Sequence, residues 1–177
     1  NYSKKKQRSP NIAVSFDIWG TLLAPNPTYK KERIKCIANF FEVTIKEAKM
    51  AINNVEFSFD SRTDTEGMHF GFEERITAIA SLLLKTDVLK SKKINNLHQN
   101  LNRLFLEHKP TLLEKDTTIS TLRKLRAKGV YICFFSNTGF IEGSVMRKSM
   151  QQLGVNPDNA FFSDELKLSK PAKKAFD

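Results

Sequence analysis

Residues 11–23 read Asn11-Ile12-Ala13-Val14-Ser15-Phe16-Asp17-Ile18-Trp19-Gly20-Thr21-Leu22-Leu23. The apolar run Ile12–Phe16 has strand character and stops at one carboxylate, Asp17. A Gly-Thr turn follows three residues later. A lone acid at the carboxyl end of a buried strand stands where open α/β sheets keep their chemistry. Trp19 follows Asp17 by two residues, and its indole N–H can only donate a hydrogen bond.

The same grammar recurs downstream. Val130–Phe135, after the turn residue Gly129, is nearly all apolar, as expected for a strand covered on both faces. Ala160–Phe162 is a third, shorter candidate. Between the first two, a helix starts at Asp116, turns Ile119, Leu122 and Leu125 inward, and ends at Gly129. Another, near Gly143–Leu153, carries Met146, Met150 and Leu153 at helical spacing and is closed by Gly154. Strands alternating with helices predict an α/β fold with a Rossmann-like parallel-sheet core.

The stretch from Pro25 to Lys109 contains no convincing strand. Four apolar stripes mark four amphipathic helices: Ile34, Ile37, Ala38 and Phe41; Ala48, Ile52, Val55 and Phe59; Phe72, Ile76, Ile79, Ala80 and Leu83; Ile94, Leu97, Leu101, Leu104 and Phe105. Thr44 and Glu47 have the spacing of a capping box before the second stripe. Such helices bury their stripes against one another. The expected organisation is a basic tail at 1–10, a core at 11–24 and 110–177, and a helical cap at 25–109. Asp60–Gly71 reads as a long polar loop within the cap, of the length that often carries function. Arg62, His69 and Arg75, in or beside it, are candidates for reaching an anionic substrate. His98 reads as partly buried packing.

The chain has 177 residues, 40% of them hydrophobic and 27% charged, with a net charge of +10. Lys4, Lys5, Lys6 and Arg8 supply four of those charges. No apolar run reaches the roughly 18 residues that span a membrane. No aromatic or groove-reading element accompanies the basic charge, so nucleic acid is not an expected partner, and neither is a membrane. A positive field does help collect a small anionic substrate. Cys36 and Cys133 read as buried, reduced thiols, which fits a cytoplasmic location. The oligomeric state is left open.

Three polar groups close the apolar runs: Asp17, then Ser136-Asn137-Thr138-Gly139, then Ser169-Lys170-Pro171. A carboxylate can attack an electrophile covalently. A hydroxyl and nearby backbone N–H groups can hold anionic oxygens. An ammonium can offset the charge gathering on nucleophile and substrate.

These stretches together resemble the haloacid dehalogenase (HAD) superfamily. Phe16-Asp17-Ile18-Trp19-Gly20-Thr21-Leu22 is similar to its first motif, Phe134-Phe135-Ser136-Asn137-Thr138-Gly139 to its second, and Phe161 through Lys170-Pro171 to its third. The long gap between the first two leaves room for a helical cap, where the four stripes fall. The resemblance runs from Ile12 onward. It implies a Rossmann-like core with a mobile helical cap, and Asp17 as nucleophile with Lys170 as its catalytic partner. It implies that Ser136 and Lys170 bind the transferring group, with Asn137, Thr21 at the turn and Trp19 also on the substrate side. In a phosphatase of this kind it implies Mg²⁺, held by Asp17, the backbone carbonyl of Trp19 and further acids of a fourth motif.

Two departures keep the reaction open. Phosphatases of the family mostly carry an acid where Trp19 stands, and losing such proton transfer costs ~10²–10⁴ in rate. A phosphatase acting on a small phosphorylated metabolite is the first expectation. A 2-haloacid dehalogenase, needing no acid and no metal, is an alternative, and a non-catalytic binding protein is another. The second departure is that the sequence given stops at Asp177. The remaining metal-binding acids are expected beyond it, and the core is expected to be incomplete. Asp164 and Glu165 precede Lys170 and are not read as those acids.

Overall fold

The structure is a computed structural model and describes residues 12–90 and 93–176. The expected basic tail lies outside the described residues. In chain order the elements are β1 (Ala13–Phe16), β2 (Leu23–Ala24), α1 (Pro27–Phe41), α2 (Ile45–Glu66), α3 (Phe72–Leu82), a 3-10 turn (Thr86–Lys90) and α4 (Lys93–Glu107). There follow β3 (Thr111–Leu112), α5 (Lys115–Ala127), β4 (Tyr131–Ser136), α6 (Gly143–Gln152), β5 (Asn159–Phe162), the single turn α7 (Ser163–Leu166) and a second 3-10 turn (Lys173–Ala175).

The molecule is α/β, with a parallel sheet in the order β1-β4-β5. Phe16 lies opposite Phe134, and Ser136 opposite Phe162. One residue further along, Asp17 and Asn137 leave the same edge of the sheet. Ile132, Phe134, Ala160 and Phe162 all point to one face and are buried there with Leu122, Met146 and Met150 from α5 and α6. Burying each large side chain contributes ~1.5–3 kcal/mol.

Here the structure corrects one expectation. The opposite positions Tyr131, Cys133, Asn159 and Phe161 are half-buried or exposed, with Phe135 the buried exception, and β1 contains no fully buried residue. Among the described residues, the apolar stripes of α5 and α6 gather on one face of the sheet, so alternation replaces burial on both faces. Cys36 and Cys133 are unpaired and half-buried rather than buried.

Helices α1–α4 bury their stripes in a second cluster centred on Ile37, Phe41, Ile52, Ile76, Ile79 and Leu101. Local chemistry starts and stops them. Asn26 caps α1 by accepting from the Thr28 N–H at 2.9 Å, with Pro27 at the first helical position. Thr44 and Glu47 form the capping box of α2. The two clusters interlock at their boundary. Tyr29 and Phe105 from the bundle pack into the sheet cluster, while Phe140, just after β4, packs into the bundle. Among the described residues no helix is long and apolar enough to cross a membrane.

The chain leaves and re-enters the sheet layer through β2 and β3, which pair antiparallel, Leu23 with Leu112. Asn26 Nδ2 also donates to the Lys109 carbonyl at 3.2 Å. The sequence shows no hairpin signal for this ladder because its strands are two residues each and lie far apart in the chain.

Candidate active site

Asp17 is aimed by the tight turn behind it. Ile18 is fully buried, and its carbonyl accepts from the N–H groups of both Leu22 and Leu23 at 2.9 Å. Gly20 takes φ +72°, in the left-handed region that glycine tolerates without strain. With Ile18 pinned in the core, the residues on either side, Asp17 and Trp19, stand half-exposed at the strand end.

Lys170 reaches Asp17 from the loop after α7. Its Nζ donates to Asp17 Oδ1 at 2.5 Å and to the Phe135 carbonyl at 2.8 Å, over the Phe135 ring. Thr21 Oγ1 lies 3.4 Å from the other carboxylate oxygen. Both side chains keep contact with solvent, 41% exposed for Asp17 and 23% for Lys170. The pair is therefore reachable by a ligand.

Asn137 ties Lys170 down: its Nδ2 donates to the Lys170 carbonyl and its Oδ1 accepts from the Lys170 N–H, both at 2.8 Å. Ser136 is fully buried, and its hydroxyl donates to the Asn137 carbonyl at 3.1 Å. Thus Asp17, Thr21, Lys170 and Asn137 come together, whereas the Ser136 hydroxyl is turned into the adjacent backbone.

Thr138 opens a second network. Its N–H donates to Ser163 Oγ at 2.8 Å, and its hydroxyl donates to Asp164 Oδ1 at 2.8 Å. Asp164 also accepts from the Gly143 N–H at the start of α6, at 3.2 and 3.1 Å for its two oxygens. This is where an anion is favoured by a helix end. Glu165 instead pairs with Arg147. Both acids are engaged structurally, so neither stands free for a metal.

A cavity of about 660 Å³ lies between the sheet edge and the bundle, with Trp19, Asn137 and Gly139 on one side and Tyr29, Arg33 and Arg75 on the other. That is the size of a small-molecule site. The indole of Trp19 meets Phe105 edge-on, with centroids 6.4 Å apart.

The expected loop at Asp60–Gly71 is corrected to a helix end followed by a short connection. Asp60–Glu66 forms the last turns of α2, with Thr63 turned inward, Arg62 bonded to Glu66 four residues on, and Gly67 closing the helix at φ +68°. The run is polar because this end of α2 is mostly solvated. Of the three cation candidates there, Arg62 is spent on Glu66 and the Phe70 ring. His69 Nδ1 is hydrogen-bonded to Ser163 Oγ at 2.9 Å. Only Arg75 lines the cavity. His98 stacks on Phe72 with centroids 4.2 Å apart.

Tyr29 and Arg33 line the cavity although no motif marks them. One signal was present: position 33 stands one turn before Ile37 on the buried stripe of α1, where an apolar side chain is the usual occupant.

Asp17 and the Trp19 carbonyl are hard oxygen donors of the kind Mg²⁺ takes. They match the ion in kind. Among the described residues no group of three His, Cys, Asp or Glu side chains comes close enough to hold a metal.

Compared with solved structures, the chain aligns over 95% of its length with 70% of YfnB from Bacillus subtilis, at 17% identity and a TM-score of 0.56. The chain has a HAD-hydrolase fold. YfnB is a protein assigned as a HAD-hydrolase, and its orthorhombic crystal form holds magnesium and reveals interdomain movement. A haloacid dehalogenase-like family hydrolase from Xanthomonas campestris aligns over 89% of this chain and 69% of its own, at 13% identity and a TM-score of 0.45. No family model and no curated protein sequence matches the chain.

Proposed function

We propose that this HAD-fold chain is a hydrolase using Asp17 as nucleophile, acting on a phosphate monoester of a small metabolite. The observation that carries the reading is the Asp17–Lys170 contact at 2.5 Å, with Asn137 holding the Lys170 backbone beside the cavity. An Asp17 oxygen attacks phosphorus, the bond from phosphorus to the ester oxygen breaks, and a weakly basic oxyanion such as a phenolate leaves. Water then hydrolyses the aspartyl phosphate, returning Asp17 and releasing inorganic phosphate. Lys170 offsets charge on the carboxylate and the incoming phosphoryl group, worth more in a partly dry site than in water. Thr21 orients the carboxylate.

Asp17 and the Trp19 carbonyl would supply two of the oxygen ligands to Mg²⁺. When bound, that ion supplies further neutralisation of phosphoryl charge. Trp19 cannot protonate the departing oxygen, so substrates with acidic leaving groups are favoured. The region 25–109 acts as the cap that closes over the substrate. The unpaired Cys36 and Cys133 suit a reducing, cytoplasmic setting.

Turnover of p-nitrophenyl phosphate with Mg²⁺, abolished in Asp17→Asn, is the expected result. A folded protein with no Asp17-dependent phosphate release overturns the phosphatase reading. The aromatic Trp19 favours dehalogenation as the second reading, because halide departs without a proton. Metal-independent halide release from a 2-haloacid would establish it. Neither activity would leave a binding role.

A further inference from the structure

The bundle side of the cavity carries more hydrogen-bond donors than the protein satisfies. Arg33 and Arg75 are 8% and 6% exposed, and each guanidinium has one carboxylate neighbour from α2. Arg33 reaches Glu56 through Nη2 at 2.8 Å, while its Nε is buried without a partner. The Tyr29 hydroxyl, one turn earlier on α1, is also buried without a partner. Arg75 spends Nε on the Phe70 carbonyl at 2.9 Å, and its Nη2 lies at a long 3.4 Å from Asp60, which is 70% exposed.

A buried donor without an acceptor keeps its full desolvation penalty. A guanidinium offers five donors and no acceptor, and a tyrosine hydroxyl can donate one more. The carboxylates of Glu56, Asp60 and Asp64 also line the cavity, yet Arg33 Nε and the Tyr29 hydroxyl are left without an acceptor. The wall's shape narrows the choice. The Arg33 guanidinium carbon sits 4.8 Å from the Phe140 centroid and 5.9 Å from that of Tyr29. Rings beside it leave an in-plane approach for a two-oxygen group such as a carboxylate, which a guanidinium takes bidentately.

The wall meets the reacting end through the Asn137–Phe140 loop: Asn137 lines the cavity and clamps Lys170, while Asp17 and Lys170 stand outside the lining. Phe140 belongs to the loop that begins with Asn137. The Arg75 guanidinium packs on Gly139, where a Cβ would come within 3.0 Å of Nε. Glycine there lets the arginine lie directly on that loop.

We propose that Tyr29 and Arg33 form a subsite for a carboxylate carried at the far end of the substrate from the hydrolysed group, with Arg75 bracing the loop between the two ends. The proposal rests on the phosphatase reading for the identity of the near group. The substrate is then a phosphorylated carboxylic acid, with both ends held between the sheet edge and α1.

The test separates the subsite from turnover by using non-hydrolysable probes. Phosphonoalkanoates of increasing chain length are titrated calorimetrically against the unaltered protein, beside alkylphosphonates of matching length. At one chain length the carboxylate should tighten binding about tenfold or more over its alkyl match. Tyr29→Phe and Arg33→Gln should each remove most of that advantage while leaving alkylphosphonate affinity within about twofold. Tyr29→Phe guards against misfolding, because it deletes a hydroxyl that holds nothing. Equal affinity for both series overturns the subsite, as does an advantage that survives both variants. A larger advantage for bisphosphonates than for phosphonoalkanoates overturns the carboxylate assignment. A carboxylate advantage without any Asp17-dependent phosphate release would sink the phosphatase reading and leave the subsite standing.

Discussion

Asn137 and Lys170 hold each other through two reciprocal hydrogen bonds, side-chain amide to backbone carbonyl and backbone N–H to side-chain carbonyl, both at 2.8 Å. The side chain of the residue after β4 thereby does what a strand neighbour would do, fixing the backbone of a loop that belongs to no sheet. The Lys170 ammonium inherits its position from that clamp. Asn137→Ala removes both bonds, and with each worth ~1 kcal/mol the expected stability loss is about 2 kcal/mol. Because Lys170 then swings free of Asp17, phosphate release should fall by more than unfolding accounts for. Urea denaturation and p-nitrophenyl phosphate turnover, measured on the same preparation, check the two parts. Unchanged turnover in a destabilised variant would show that the clamp does not position the lysine.

Gly67 is where the bundle touches the lysine loop. Its carbonyl accepts from the Ser169 N–H at 2.9 Å, and its neighbour Met68 bridges to Leu168. A methyl group added at Gly67 would collide with the Ala172 side chain, on a backbone already at φ +68°. Gly67→Ala should therefore cost roughly 2–4 kcal/mol, combining left-handed strain with overpacking. Gly129 has a similar φ of +76° but open space around it. Gly129→Ala should cost only the strain, about 1–2 kcal/mol. Equal losses, compared by thermal or urea melts, would mean that the contact with Ala172 is not closely packed.

What could be read beforehand, and what could not, follows from where the deciding interactions lie in the chain. Asp17 announced itself because a carboxylate ending an apolar run is a local pattern. The helix at α1 was legible from its stripe, but Arg33 within it was not, because its partners Glu56 and Phe140 come from distant segments. Asp60–Glu66 looked like loop for a related reason. A solvated helix end has no apolar stripe, and its evidence is the Arg62–Glu66 pair and the glycine cap. The pairing of β2 with β3 is set by the topology of the insertion. The single turn α7 is too short for periodicity to reveal, yet it carries Ser163 and Asp164 to Thr138.

His69 gives the bundle a pH-dependent hold on the sheet layer. Burial pushes its pKa below the ordinary histidine value, outweighing the opposing pull of Asp164 and Glu74. Thr138 N–H already donates to Ser163 Oγ, so the serine proton is free to go to a neutral Nδ1. Because the folded pKa is depressed, the unfolded chain binds more protons in the window below the unfolded value of about 6.5. Stability should be fully present above that pH and decline as pH falls toward the folded pKa. His69→Gln should flatten this part of the profile in melts recorded between about pH 7.5 and 5. A wild-type profile that instead rises on acidification would show that histidine is stabilised in its charged form.

On the phosphatase reading proposed above, Trp19 limits which leaving groups the site can use. Its indole is half-buried, set edge-on against Phe105 and lining the cavity beside Asn137. Nitrophenolate departs without a proton, whereas a simple alkoxide does not. Trp19→Asp introduces an acid at the position the reaction lacks. On alkyl phosphates it should raise kcat by about tenfold to a hundredfold, a modest share of what general acid catalysis typically contributes. On p-nitrophenyl phosphate the change should stay within about threefold, since the proton is not needed there. The variant loses the Phe105 contact, so the two substrates are compared on the same folded fraction to cancel any loss of stability. If the ratio between alkyl and aryl substrates does not move, proton supply is not what limits this site. The Trp19 side chain would then matter through the surface it presents to the substrate, and a Trp19→Phe variant should keep wild-type turnover on both.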